Sequence, residues 1–411
     1  MADTADVATL ATRMPPRFDP LSPDVLDDPY PAYARLRAAG PVSRAGPGIW
    51  ALNRHADIAA ALRDERLGHR FSDEFRRPFT TEGGPASALL QGIVSSLQPP
   101  EHTRVRQLLS KSFTPSVVRG LRGSIGATAD RLLAAALERG TFDAVADLSL
   151  PLQISVGCEL LGIPDSHRDE IWPRATALGR AFIPFVPAGP DETADDVAVT
   201  WLREFVTDMV ARRRRHPGDD LLSRMLYVER GGDRLSDSEL VDNAIFLFFA
   251  GFETSMYLLC LAATLLATHP GEFARLRADR SLVPAAVEEF LRYDPPIQWM
   301  ARIALAPLTV GDTTVRPGRV VLLLLGSANR DEDVFANPGK LDIGRQPNQH
   351  LGFGGGIHHC LGVNLARTQG AVVLGRLLGQ CSDLRPAGQP VRRPHPNLRG
   401  YESVPVTLVP A

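Results

Sequence analysis

The sequence predicts a mainly α-helical protein that carries a few small β-sheets, and three patterns support this fold class. From Val117 to Arg215 the apolar residues recur with the 3.6-residue period of amphipathic helices. A nearly unbroken apolar run from Ala244 to Ala267 indicates one long buried helix. Short apolar runs between residues 308 and 325, separated by Gly311-Asp312 and Pro317-Gly318, indicate strands joined by tight turns.

Composition and charge limit the classes of function that are possible. The chain has 411 residues and is 44% hydrophobic, so it can bury a large core. Its formal net charge of −2 argues against nucleic acid as a main partner. The four cysteines are far apart and show no disulfide framework, which predicts a reducing, cytoplasmic location. The first ten residues include aspartates and no apolar core, so we expect neither a signal peptide nor a membrane anchor.

The N-terminal quarter is predicted to contain short elements between irregular segments. Residues 1–28 are expected to form an irregular arm, followed by a helix over Tyr30–Ala39, a strand over Trp50–Asn53 and a helix over Ala56–Asp64. Residues 72–98 lose regular periodicity. A long irregular segment in a compact domain is often a binding loop, although it can also be a plain surface loop.

The prolines at 99 and 115 bracket a predicted helix that places two basic residues on one face. His102 and Arg106 are four residues apart, so they are neighbours on the helix surface. Two such groups suit an anionic partner, or they are simply solvated charges. Further along, the stretch from Arg180 to Asp191 contains three prolines and interrupts the helical pattern. It predicts a second loop with exposed apolar side chains.

The long apolar run carries one polar patch. Ser236 and Glu239 have the spacing of a capping box that starts the helix. The run is long enough to span a membrane, but Glu253 in its middle favours the buried centre of a globular fold. We expect the Thr254 hydroxyl to bond the Ala250 carbonyl and open a groove there. Alternatively, a neighbouring helix satisfies the patch.

The stretch F-G-G-G-I-H-H-C-L-G at residues 353–362 places Cys360 in a glycine-rich turn before a helical pattern. Glycines let the backbone turn tightly, and a helix N-terminus favours a thiolate. On its own, Cys360 could also be an unreactive buried thiol. A zinc site with His358 and His359 is disfavoured, because three consecutive side chains cannot converge on one tetrahedral ion.

Four ordered phrases resemble the soluble, bacterial branch of the cytochrome P-450 family of haem-thiolate monooxygenases. They are E-H-T-R-x-R at 101–106, A-G-x-E-T-S at 250–255, E-x-x-R at 289–292 and F-G-x-G-x-H-x-C-x-G at 353–362. The resemblance covers residues 17–411 and implies a single domain with the family's triangular, helix-rich fold, after an irregular arm over residues 1–16. Haem b (iron protoporphyrin IX) would be buried between the central helix and the cysteine loop.

The resemblance also implies roles for individual residues. The Cys360 thiolate would ligate the haem iron, and Glu253 with Thr254 would support proton delivery to bound O2. Further haem-binding residues would be His102, Arg106, Ala250, Gly251, Arg302, Phe353, Gly354, His358 and Gly362. A buried structural set that fixes the cysteine loop would consist of Glu289, Arg292 and Arg345.

The implied activity is insertion of one oxygen atom from O2 into an apolar, medium-to-large substrate such as a macrolide, terpenoid, steroid or fatty-acid derivative. Pocket candidates are Ile93, Val94, Phe182, Phe185, Phe249, Ile297, Trp299, Met300 and Tyr401. Electrons would come from a separate ferredoxin and its reductase, with Arg104 and Lys111 as candidates for the donor surface. We expect a monomer that binds neither nucleic acid nor membrane. Oxidative coupling, peroxide-driven oxidation and haem-based gas sensing are the alternatives; an intact Glu253-Thr254 pair disfavours peroxide use.

Overall fold

The computed structural model describes residues 15–71, 83–181 and 194–411, in which helices predominate and strands form small sheets, as the sequence predicts. The α-helices of these residues are α1 Pro23–Asp27, α2 Tyr30–Ala39, α3 His55–Ala61, α4 Pro85–Gly92, α5 Glu101–Ser112, α6 Pro115–Gly120, α7 Arg122–Arg139, α8 Leu150–Leu161, α9 Arg168–Ala181, α10 Ala194–Arg215, α11 Leu221–Tyr227, α12 Asp237–Thr268, α13 Pro270–Ala278, α14 Val283–Tyr293, α15 Leu325–Ala328 and α16 Val363–Gln380. The strands are β1 Val42–Gly46, β2 Ile49–Leu52, β3 Leu67–Gly68, β4 Thr141–Asp143, β5 Met300–Ala304, β6 Leu308–Val310, β7 Thr313–Val315, β8 Val320–Leu323, β9 Cys381–Pro386, β10 Val391–Arg392, β11 Tyr401–Ser403 and β12 Pro405–Pro410.

The sheets join segments that are far apart in the chain. A five-stranded sheet has the order β1-β2-β8-β5-β3, with β2 and β8 parallel and the other neighbours antiparallel. A three-stranded antiparallel sheet has the order β4-β12-β9. The remaining strands form two hairpins, β6-β7 and β10-β11. The N-terminal strands therefore complete sheets whose other members lie near the C-terminus.

The central helix α12 is the axis of the larger core. Ser236 accepts from the Glu239 backbone N–H while the Glu239 carboxylate accepts from the Ser236 N–H, so the predicted capping box is present. Apolar side chains on all faces of α12 are buried against the surrounding helices. A second core lies between the five-stranded sheet and the N-terminal helices. These two cores hold the polar patch of α12 and the loops around it in fixed positions.

Two helical stretches in the described residues are long and apolar enough, by composition alone, to cross a membrane. They are Ala144–Leu161, with a mean hydropathy of 1.3, and Asp237–Thr268, with a mean hydropathy of 1.8. More than half of each window is buried inside the protein, 56% and 67% respectively. Such burial is typical of core helices in globular folds.

Three short elements differ from the sequence-based expectation. Helix α1 lies within the predicted irregular arm, and α4 lies within the predicted irregular segment 72–98. Both start with a proline at the first helical position, but they are too short for a 3.6-residue period to be recognised. Strand β4 interrupts the predicted helical region because it pairs with β12 at the far end of the chain. Residues 182–191 of the predicted second loop lie outside the described residues.

Candidate active site

The polar patch of α12 carries a side-chain bond to the helix backbone and lies beside open space. The Thr254 hydroxyl donates to the Ala250 carbonyl oxygen at 2.7 Å, which is the contact expected from the spacing. Beside it, a Cβ atom placed on Gly251 would meet no atom of the described residues within 4 Å. This turn of an otherwise packed helix therefore borders open space, where a small ligand can approach the backbone.

Glu253 is buried next to Thr254 and is connected to the protein surface. Its side chain is 2% exposed, and its Oε1 accepts from Arg393 Nη1 at 2.8 Å. Burial raises the pKa of Glu253, and the Arg393 charge acts in the opposite direction. Its Oε2 has no hydrogen-bond partner among the described residues. One carboxylate oxygen is thus fixed by an ion pair, and the other is available to a water molecule or ligand.

Arg393 links this carboxyl to the C-terminal loop. It also donates to the Tyr257 hydroxyl at 2.5 Å, one helical turn after Glu253, and its side chain is 25% exposed. Gly400 makes this approach possible, because a Cβ atom there would overlap the Tyr257 ring. No sequence pattern points to Arg393, since it belongs to none of the four phrases and its partner Glu253 is 140 residues away.

The cysteine loop is held in a tight conformation that requires glycine. Gly354 and Gly356 have left-handed φ angles of 67° and 66°. A Cβ atom on Gly356 would overlap the backbone carbonyl oxygen of Leu62. The loop closes through a hydrogen bond from the Cys360 backbone N–H to the Phe353 carbonyl at 3.0 Å. The loop and the segment after α3 therefore pack backbone against backbone.

The environment of the Cys360 sulfur suits a metal ion that receives one ligand from the protein and its other ligands from a non-protein group. Burial raises the pKa of the Cys360 thiol, while the Gly362 backbone and the charges of Arg106 and Arg367 favour the thiolate. A coordinated metal ion deprotonates a thiol outright. Within residues 15–71, 83–181 and 194–411 no three His, Cys, Asp or Glu side chains are clustered to hold an ion. A single thiolate ligand fits a metal held by a porphyrin ring.

A cluster of cationic and imidazole side chains lies beside this loop, and it has no acidic partner among the described residues. Arg302 is 5% exposed, and burial lowers its pKa to about 10. Burial and nearby Arg106 lower the pKa of His102 to about 4. Burial, with His102, Arg302 and Arg106 next in importance, lowers the pKa of His358 to about 3. The imidazole rings of His102 and His358 lie 4.1 Å apart, centroid to centroid.

The two histidines of this cluster have ring nitrogens without partners in the described part of the protein. Neither ring nitrogen of His102 has a hydrogen bond, and neither has Nε2 of His358. Buried donors without partners cost roughly 1–3 kcal/mol each. An anionic ligand would satisfy them, and the two propionate groups of haem have the required charge. The residues present therefore fit this cofactor.

Two further arginines connect neighbouring elements to the loop. Arg106 donates from Nη2 to the His359 carbonyl oxygen at 2.5 Å, so α5 is tied directly to the loop. The Arg367 guanidinium lies over the Phe353 ring, 5.2 Å from its centroid. Arg367 also makes a bidentate pair with Glu288, at 2.7 and 2.8 Å. The ring of Phe353 is thereby held from the side of α16.

The structure brings together the three residues of the expected structural set. Glu289 and Arg292 are fully buried and bonded at 2.7 and 2.8 Å, and Arg345 Nε lies 3.1 and 3.2 Å from the two Glu289 oxygens. Arg292 also donates to the carbonyls of Asn329 and Pro338. This network fixes the chain that leads from β8 into the cysteine loop.

Several pocket candidates lie around α12 and the loop. Ile93 and Val94 are buried, and the Val94 backbone N–H donates to Asn243 Oδ1 of α12 at 2.8 Å. Phe249 is buried on α12 itself. The Met300 methyl group lies 3.3 Å from the position of a Cβ atom on Gly354. Ile297 is half-buried and bridges to Leu398. Phe182 and Phe185 lie outside the described residues.

Two pocket candidates have positions that argue against contact with a substrate beside Thr254. Trp299 is buried in the smaller core, and its indole N–H donates to the Pro396 carbonyl at 2.9 Å. Tyr401 bonds Thr264 and packs against Arg392. Thr264 lies about 15 Å along the helix from Thr254, given a rise of roughly 1.5 Å per residue.

The two candidates for the electron-donor surface, Arg104 and Lys111, form contacts with other segments of the chain. Arg104 forms ion pairs with Asp233 and Glu239, and Lys111 donates to the Glu229 carbonyl at 3.1 Å. They attach α5 to the segment before α12. Arg104 is 35% exposed and Lys111 is exposed, so their place on an electron-donor surface remains a prediction beside this structural role.

A helix-rich fold with a half-buried cysteine ligand in a glycine-rich loop, beside a cluster of cationic and imidazole side chains, defines a haem-thiolate protein. The family model for cytochrome P450 matches residues 191–400. The chain is 36% identical to vitamin D(3) 25-hydroxylase of Pseudonocardia autotrophica, covering 98% of this chain and 99% of that protein. It is 37% identical to nocardicin C N-oxygenase of Nocardia uniformis subsp. tsuyamanensis, covering 96% and 100%. The solved structure of CalO2 shares 34% identity with a TM-score of 0.88, covering 96% of this chain and 99% of that one.

The chain belongs to the cytochrome P450 family. It is a cytochrome P450 monooxygenase, its cofactor is haem b, and its fold is the helix-rich fold of this family. Family membership also implies the use of O2, a redox partner and a hydrophobic substrate.

Proposed function

We propose that this enzyme hydroxylates or epoxidises an apolar, medium-to-large organic molecule in bacterial secondary metabolism or catabolism, with electrons from a separate ferredoxin and ferredoxin reductase. The observation that carries the proposal is the Glu253–Arg393 pair beside the open turn at Gly251 and Thr254. A buried acid with a route to the surface is what proton delivery to bound O2 needs. Peroxide-driven oxidation and gas sensing do not require it.

In this proposal the haem is held by groups from several elements. Cys360 ligates the iron, and Arg106, Arg302, His102 and His358 bind the propionates. The surfaces that would contact the porphyrin ring are formed by Ala250, Gly251, Phe353, Gly354 and Gly362. Haem b, when bound, supplies the oxygen chemistry, which a thiolate ligand promotes by electron donation.

The protein contributes proton transfer and exclusion of water. The Glu253 Oε2, which lacks a partner in the described residues, can accept a hydrogen bond from water entering along Arg393. The raised pKa of Glu253 makes it a better proton donor near neutral pH than an exposed carboxylate. The Thr254 hydroxyl, whose proton is bonded to Ala250, keeps its oxygen free to accept from such a water.

The substrate class rests on the apolar side chains near α12. Ile93, Val94, Phe249, Ile297 and Met300 supply hydrophobic surface with few polar groups. Among the relatives, one is named as a hydroxylase of vitamin D(3) and another as an N-oxygenase of nocardicin C. This range supports a macrolide, terpenoid, steroid or fatty-acid derivative as the substrate class.

The electron donor is inferred from positive charge around the cysteine loop. Arg63 is exposed and donates to the Ala59 backbone carbonyl, so its charge is not neutralised by this bond. Arg367 is 47% exposed and shares its charge with Glu288. Such a rim suits an acidic ferredoxin. We further propose a single catalytic domain over residues 17–411 that acts as a cytoplasmic monomer.

The first experiment is a ligand screen of the purified ferric enzyme, read by the low-to-high-spin shift of the Soret band. Ligands that shift the band are then incubated with NADPH, ferredoxin and ferredoxin reductase, and products are identified by mass spectrometry. We expect a product that is 16 mass units heavier than the ligand. Product formation with hydrogen peroxide but not with the redox partners would contradict the proposal. A C360A variant that keeps a thiolate-type Soret band would refute the ligand assignment.

A further inference from the structure

A third imidazole joins the cluster beside the cysteine loop. The His69 ring lies 3.6 Å from the His358 ring, centroid to centroid, with an angle of 31° between the planes. The centroid of the His102 ring lies 4.1 Å from that of the same His358 ring. Three histidines from three distant segments therefore meet at His358. None of the four sequence phrases includes His69.

The position of His69 follows from strand pairing. In β3 and β5, Leu67 pairs with Ala304 and Gly68 pairs with Ile303. Continuing this antiparallel register by one residue places His69 directly across from Arg302. Side chains that are directly opposite in neighbouring strands share one face of the sheet. The backbone therefore directs His69 and Arg302 to the same place, where His358 also lies.

The groups around His69 favour its neutral form while no anion is bound. Burial lowers the pKa of His69 strongly, and Arg302, His358 and His102 lower it further; only a backbone hydrogen bond with Ser95 opposes them. Purely structural packing would be better served by an apolar ring, because buried polar groups without partners are costly. A histidine beside a buried arginine and two unpartnered histidines is useful when an anion is bound among them.

We propose that His69 is a haem-positioning residue that, in its doubly protonated and cationic form, donates its second N–H to a haem propionate, together with Arg302, His102 and His358. This inference rests on the proposed function, in which haem is bound beside the cysteine loop, and it adds His69 to the residues that bind the propionates. Its consequence is tighter retention of the cofactor, since each donor to a propionate stabilises the holoenzyme and not the apoprotein.

The test measures haem loss from the ferric holoenzyme to an excess of apomyoglobin. We expect H69F, which keeps an aromatic ring but removes the donors, to lose haem about tenfold faster than the wild type, equivalent to roughly 1.4 kcal/mol. H69Q, which retains an N–H donor, is expected to stay within about threefold of the wild type. H216F, at an exposed histidine, controls for the residue change itself. If H69F does not take up haem, H69M replaces it.

A second arm separates a propionate contact from a packing effect. Wild type and variant are both loaded with the dimethyl ester of haem, whose propionates are neutral. If His69 acts through a propionate, the tenfold difference shrinks to about twofold or less with the ester. Equal haem loss from H69F and wild type would overturn the proposal, and so would a difference that persists with the ester. Failure of the wild-type protein to bind haem through a thiolate would instead refute the proposed function itself.

Discussion

Arg393 Nη1 lies 2.8 Å from Glu253 Oε1, so the C-terminal loop is bonded to the middle of the buried central helix. The pair places a surface-accessible cation on the acid that stands beside the open turn of that helix. Because Arg393 also bonds Tyr257, the acid, the arginine and the phenol form one continuous network.

We predict that R393Q uncouples electron use from product formation. Removal of the cation leaves the Glu253 carboxyl buried without its charge partner, so its pKa rises further and proton exchange with solvent slows. Product formed per NADPH is expected to fall about tenfold, with a matching rise in hydrogen peroxide. R385Q, at an arginine that is 67% exposed on β9, is the control and should behave like the wild type. Unchanged coupling in R393Q would mean that this network carries no protons.

A second prediction concerns the hydroxyl of Thr254. T254A removes the bond to Ala250 and the oxygen that faces the open turn, so peroxide release should rise and product per NADPH should fall by roughly tenfold. The control is T268A, because Thr268 makes the same bond one turn back, to the Thr264 carbonyl at 2.8 Å, at the exposed end of the helix. The proton-relay assignment loses its support if both variants couple electrons to product equally well.

Gly356 should tolerate no side chain. G356A forces an alanine into a φ of 66° and pushes its Cβ atom against the Leu62 carbonyl oxygen, which distorts the loop. The reduced carbon monoxide complex should lose most of its thiolate-type Soret band. The same change at Gly375, inside α16 with open space around it, should raise stability by about 1 kcal/mol. A normal band in G356A would show that the loop conformation is not needed.

The buried network at Glu289 should be essential for folding. E289Q leaves the guanidinium of Arg292 fully buried without a counter-charge, a change that typically costs about 3–5 kcal/mol. We expect a large decrease in the urea midpoint of unfolding, followed by circular dichroism, together with a low haem content. E138Q, at an exposed glutamate of α7, should shift stability by less than about 0.5 kcal/mol. Similar midpoints for the two variants would contradict the assignment.

Glu288 predicts a component of acid sensitivity. Burial alone would raise the pKa of Glu288, but hydrogen bonds from His350 and Arg367 outweigh it and lower the pKa from 4.5 to about 2. Since the folded-state pKa is depressed, this stabilisation is complete above pH 4.5 and is lost as the pH falls toward 2. It amounts to about 2 kcal/mol after allowance for partial exposure. Unfolding free energies of wild type and E288Q should therefore converge at low pH; a constant difference from pH 6 to pH 3 would contradict this.

The sequence predicted contacts that depend on short spacing and on family phrases. The bond from Thr254 to Ala250 follows from a spacing of four residues, and the family resemblance, with the place of Arg345 before the cysteine loop, predicts its pairing with Glu289. The strands β6 and β8 were also expected near their observed positions, because turn residues flank them. Local patterns therefore accounted for most elements.

Contacts between distant segments were beyond such reasoning. Arg393 reaches Glu253 across 140 residues, and His69 reaches His358 through a strand pairing that no local pattern encodes. Arg104 likewise pairs with Asp233 and Glu239, which come from a segment far along the chain. In each case the fold brings together two residues that are far apart in the sequence.

The parallel pairing of β2 with β8 has a consequence for biosynthesis. Ile49 pairs with Val320, so the sheet that contains the N-terminal strands cannot form until about 270 further residues have been synthesised. At a synthesis rate of roughly 5–20 residues per second, this delay is about 15–55 s. Strand β5, which carries Arg302, belongs to the same sheet. Cofactor capture is therefore a late event, because this sheet cannot close until β8, which ends at Leu323 of 411 residues, has been made.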